Sequence, residues 1–96
     1  MNVHLVPSRM ASKKWDVVFP DGSKVSFGAK GYQDYTQHKD ADRMKRYIAR
    51  HKKNEDWSNI RTAGFWAKWL LWTKPSLSEA ITNIESKYKI KIKKGG

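Results

Sequence analysis

The segment Thr62 to Trp72 (TAGFWAKWLLW) constrains the fold more than any other. Phe65, Trp66, Trp69, Leu70, Leu71 and Trp72 leave Lys68 as its main polar position. A helix that is apolar nearly all round has to be covered on most of its sides. It is also only about half as long as the ~20 residues a membrane-spanning helix needs, so it is not expected to span a membrane. A chain of 96 residues supports one small core, and five Trp, four Tyr and three Phe supply the aromatic mass to fill it. So many tryptophans are hard to bury completely in a small domain. Part of the set Trp66, Trp69 and Trp72 is therefore expected to meet a partner.

The remaining elements follow from periodicity. WDVVF (15–19), Pro20-Asp21-Gly22 and SKVSFG (23–28) give an apolar run, a turn and an alternating run, which predicts a β-hairpin. Residues 28–38 read as a loop carrying Tyr32 and Tyr35. In 39–53, Ala41, Met44, Tyr47, Ile48 and His51 recur at helical spacing, with acids at the start and lysines at the end. A loop with Asn54, Glu55, Asp56 and Ser58, pinned by Trp57, leads to the tryptophan helix, which Lys74 and Pro75 terminate. Ser76-Leu-Ser-Glu79 is a capping box that opens a third helix with Leu77, Ile81, Ile84 and Tyr88 on one stripe. YKIKIKK (88–94) alternates, placing Ile90 and Ile92 opposite Lys89, Lys91 and Lys93, and reads as a lysine-protected edge strand. Residues 1–12 read as an extended arm without a core role, because Pro7 and Ser8 discourage regular structure; Val3, Leu5 and Val6 would dock on a neighbouring molecule. The expectation is one α+β domain over 13–94, with three helices on one face of a small antiparallel sheet and Gly95-Gly96 as a flexible terminus.

Charge narrows the function. Twenty Lys and Arg against nine Asp and Glu give +11 at pH 7, spread over both halves of the chain. Self-repulsion at this density is relieved by an acidic partner. Arg43, Lys45, Arg46, Arg50, Lys52 and Lys53 on the 39–53 helix, with Lys89, Lys91 and Lys93 near the end, are the candidate contacts to phosphates or another polyanion. Tyr32, Tyr35 and Trp57 are available for stacking. An anionic membrane surface beside the tryptophans is a lesser alternative, and no secretory signal is visible in Met1 to Met10.

Catalytic chemistry finds little material. Zero Cys removes disulfides, thiolate metal sites and a thiol nucleophile, and fits a reducing compartment. Gly28 and Gly31 lack the continuation of a phosphate loop. His38, Asp40 and Asp42 lack the spacing of a metal motif and suit a helix start better. His4, His38 and His51 assemble no general base with a nucleophile. No catalytic residue, metal, cofactor or small-molecule substrate is expected.

The series FGAKGYQDYTQHKDADRMKRYIARH (27–51), Trp57 and TAGFWAKWLLWTKPSL (62–77), with the hairpin VVFPDGSKVSFG before it, resembles a family of small basic proteins encoded by large nucleocytoplasmic DNA viruses such as the chlorella viruses. The resemblance covers roughly residues 15 to 84. It implies a protein of the virion, or otherwise of the cytoplasm or nucleus of an infected cell, and assigns no residue a role. Two functions are compatible with it. One is a minor capsid or virion-associated component that binds neighbouring proteins through Val3, Leu5, Val6, Trp66, Trp69 and Trp72. The other is a sequence-nonspecific nucleic-acid-binding protein using the basic helix and the C-terminal lysines.

Overall fold

Four short segments with alternating side chains build the sheet. In the computed structural model, which describes residues 1–53 and 57–95, these are β1 (Asn2–Pro7), β2 (Lys13–Val18), β3 (Lys24–Ala29) and β4 (Lys91–Lys94), in the order β3-β2-β1-β4. β2 is antiparallel to both β1 and β3, whereas β4 is parallel to β1. The expected wholly antiparallel sheet is thus corrected to a mixed one. Helical segments intervene between β1 and β4, and a connection of that length lets the last strand return in the same direction as the first.

Residues paired across a ladder share a face. Leu5 pairs with Val17, Val17 with Val25, Trp15 with Phe27 and Val3 with Ile92, so one face is apolar and packs into the core. The other face carries Asn2, His4, Lys24, Lys91 and Lys93, all exposed. Asp16 also points to that side, yet it is buried: the Ser26 hydroxyl donates to it, and the Lys24 ammonium lies 3.8 Å away. The Pro20-Asp21-Gly22 turn forms as its residues require. Gly22 adopts φ 87°, and its N–H donates to the Phe19 carbonyl at 3.0 Å.

Each helix starts at a side-chain cap. Asp34 caps α1 (Tyr35–His38) in a reciprocal box with Gln37, Asp40 caps α2 (Ala41–His51), and Thr62 caps α3 (Ala63–Trp66). α3 runs on into a π-helical turn over Ala67–Leu71, so the tryptophan helix spans the expected residues but with a widened second half. Ser76 caps α4 (Leu77–Tyr88) by accepting the Glu79 N–H at 3.3 Å. Phe65, Trp66, Trp69, Leu70, Leu71, Ala80 and Ile84 cover the apolar face of the sheet. Gly28 in β3 has φ 81°, and a Cβ there would lie 3.0 Å from Leu71 Cδ1, so both the backbone conformation and the close approach of the π turn favour a residue without a side chain.

The N-terminal arm is the largest correction. Residues 2–7 are an interior strand, and Val3 and Leu5 are 1% and 0% exposed. Their burial depends on β4, from the far end of the chain, which supplies the neighbour on β1's other side. The same pairing holds the end of the chain: the Gly95 N–H donates to the Leu5 carbonyl at 2.8 Å, so Gly95 is not a free tail. Gly96 lies outside the described residues, as do Asn54, Glu55 and Asp56 of the expected loop. No helix among the described residues is long and apolar enough to cross a membrane.

Candidate functional site

α2 buries none of its residues, unlike the helices of the core. A stack of rings fixes it instead. Tyr47 lies parallel to Trp72 at 4.1 Å, with 2° between the planes, and also stacks on His51 at 4.1 Å. Two rings at that distance cannot share one face, so Tyr47 is sandwiched between them. Trp72 further meets His38 at 5.3 Å, which in turn meets Tyr35 at 6.2 Å. Trp72, at the exit of the π turn, is therefore the platform on which both α1 and α2 rest. Such contacts add about 0.5–1.5 kcal/mol each beyond the area they bury.

The joint between α1 and α2 is polar and specific. Lys39 takes a left-handed conformation (φ 56°), and the Asp40 N–H then donates to His38 Nδ1 at 2.9 Å. Asp40 Oδ1 accepts the N–H groups of Asp42 and Arg43 at 3.0 and 3.3 Å, and the Arg43 N–H leads in holding its carboxyl below the usual carboxylate range. His38 Nδ1 and Asp40 Oδ1 thus accept backbone N–H groups at the start of α2, which is a helix-capping role. Burial, then the Arg43 charge, push the His38 pKa down. Its buried Nε2 has no hydrogen-bond partner among the described residues.

With Tyr47 against Trp72, α2 turns its charges outward. Arg43, Lys45, Arg46, Arg50, Lys52 and Lys53 are all exposed. Arg43, Arg46 and Arg50 lie on one flank at i, i+3 and i+7, with Lys45 and Lys52 on the other. Among the described residues, no ion pair engages any of them; the pairs present are Lys14–Asp34, Lys24–Asp16 and Arg61–Asp21. The spacing of the 39–53 segment was the signal that made this face legible in the sequence.

Between α2 and the edge of the sheet lies a cleft of about 360 Å³. Tyr47, Arg50 and His51 form one wall, Lys13, Lys14 and Gly28 the other, and Ala63, Gly64 and Ala67 lie between. Lys14 is held by the buried Asp34 at 2.7 Å and by Gln37 at 2.6 Å, which ties the sheet to the cap of α1. Tyr32 stands at the rim, 75% exposed. Sequence reasoning missed Lys13 and Lys14 as cleft residues, because no local pattern connects them with Arg50.

The structure separates other residues that the sequence grouped. Lys89, Lys91 and Lys93 are exposed, but β4 is the edge strand opposite β3, and the cleft and α2 lie on the β3 side. The cleft beneath α2 is lined by none of these three lysines, so the fold does not bring them into that site. Of the expected partner anchors, Val3, Leu5, Trp66 and Trp69 are in the core, while Val6 and Trp72 are half-buried, Trp72 beneath α2. The aromatic stacking expected of Tyr35 and Trp57 is used internally: Tyr35 meets His38, and the Lys68 ammonium lies 4.3 Å from the Trp57 ring centre. Lys68 also covers Trp69 at 4.0 Å, and burial, then the Lys87 charge, lower its pKa.

A family sequence profile matches residues 3–51, just over half of the chain, from within β1 to the last residue of α2. The chain belongs to the family of unknown function DUF5754. The DUF5754 segment contains Lys13, Lys14, Tyr32 and Arg50 of the cleft and most of the basic face, while the core helices and β4 lie outside it. No curated protein and no solved structure matches the chain.

Proposed function

We propose that this DUF5754 protein binds nucleic acid, holding the phosphate backbone on the basic face of α2 without reading base sequence. One observation carries the reading. α2 contributes nothing to the buried core, is nevertheless fixed by the Trp72 ring stack, and presents exposed cations that form no ion pair with a described carboxylate. Exposed cations on a rigid scaffold release the counterions of a phosphate backbone at little ordering cost. From Arg43 to Arg50 the helix rises ~10 Å, about the axial length of three phosphates on one strand of B-DNA. The chain's +11 adds long-range attraction to the same partner.

The test is fluorescence anisotropy of the full chain with a labelled DNA duplex across a salt series. Arg43→Gln, Arg46→Gln and Lys53→Gln together are expected to make the log–log salt slope shallower by about 2.7, at ~0.9 for each phosphate no longer neutralised. Affinity should fall equally for all duplex sequences. A slope unchanged by the three replacements removes α2 as the contact surface.

A further inference from the structure

Tyr32 is a large aromatic residue that the fold leaves outside, and the structure holds it there. It follows Gly31, which adopts φ 93°, and its N–H donates to the Ala29 carbonyl at 3.3 Å. Two residues later, Asp34 is fixed by the Lys14 ion pair. The ring thus projects from an anchored turn and makes no ring contact among the described residues. It stands on a ridge between two hollows: the cleft beneath α2, with Lys13 and Arg50, and a second of about 590 Å³ that includes Lys30 and Trp15. A fixed, exposed ring flanked on both sides by cations matches a base stacked on an aromatic platform with its phosphates held alongside.

From this we infer that the protein prefers single-stranded nucleic acid, with one base stacked on Tyr32 and the adjoining nucleotide entering the cleft beneath α2. The inference rests on the nucleic-acid reading above and adds the strandedness of the ligand. Duplex bases are paired and stacked inward, so a duplex can lie along α2 but has no free base face for Tyr32. A cleft of about 360 Å³ is at the small end of the range for ligand sites, which suits a single unstacked nucleotide. Its cationic wall residues Lys13 and Arg50 would take the phosphate, and the small side chains at Ala63, Gly64 and Ala67 leave room for the sugar and base.

The experiment compares the full chain on a labelled 20-nucleotide oligothymidylate and on its duplex with oligodeoxyadenylate, at one fixed salt concentration. The wild type is expected to bind the single strand more tightly. Tyr32→Ala should weaken single-strand binding by about 5- to 150-fold and leave duplex binding unchanged, while Tyr32→Phe retains the single-strand affinity. At a site this exposed the replacement should leave the circular dichroism spectrum intact. Equal affinity for both probes, or an equal loss on both in Tyr32→Ala, overturns the single-strand inference and leaves α2 as a backbone-binding face. Failure to bind either probe overturns both readings.

Discussion

Leu5 offers the sharpest test of the fold, because the sequence assigns it to an arm and the structure assigns it to the core. The side chain is fully buried, opposite Val17 on one side and Lys94 on the other. Leu5→Ala removes three carbon groups, worth about 2.4 kcal/mol in transfer free energy, and the partly collapsed cavity raises the loss to about 3 kcal/mol. A domain of this length has a total stability of roughly 5–14 kcal/mol, so the variant should fold but melt about 12–24 °C lower. His4, next along the strand, is exposed, and His4→Ala should change stability by no more than about 0.5 kcal/mol. Guanidinium unfolding followed by tryptophan fluorescence measures both variants. Deleting residues 2–7 goes further: β4 pairs only with β1 in the sheet, so the truncated chain should show no cooperative transition. The placement of β1 in the core fails if Leu5→Ala costs less than about 1 kcal/mol, or if the truncated chain still unfolds cooperatively.

Two further predictions concern the mounting of α2. Trp72→Ala removes the platform under Tyr47 and His38, and should raise amide hydrogen exchange across residues 44–51 at least about tenfold while amides of Phe65, Leu70 and Ile84 change much less; a uniform rise, or none, contradicts the ring-stack account. His38 is held neutral by burial and by Arg43, so its contribution is complete above the ordinary imidazole pKa of about 6.5. As pH falls from there toward the lower folded-state pKa, the unfolded chain takes up a proton that the folded chain resists, and stability declines. Denaturant titrations between pH 8 and pH 5 should show a shallower decline in His38→Gln than in the wild type, and parallel curves would refute the role.

Local patterns in this chain were legible wherever a single segment carries its own instruction. The PDG turn sets the β2–β3 hairpin through a glycine with positive φ, Ser76 starts α4, and Ile90 and Ile92 alternate with lysines on the exposed side. The stripe of Met44, Tyr47, Ile48 and His51 likewise announced α2 and, by subtraction, its basic face. None of these requires knowledge of another part of the chain.

Only the tertiary structure decided what depends on distant pairs. Val3 and Leu5 alternate with polar residues just as Ile90 and Ile92 do, but their burial needs β2 on one side and β4, nearly ninety residues later, on the other. Loop-closure entropy for that pairing is offset only when the whole sheet and its covering helices form together, so no window of sequence displays it. Trp66 and Trp72 differ for the same reason: the first enters the core, and the second leaves the π turn to carry α2. The sequence by itself determined the α+β class, the basic helix and the excess of positive charge. The packing of remote segments decided which apolar residues are core, which aromatic ring stays exposed, and that Lys13 and Lys14 meet Arg50 across one cleft.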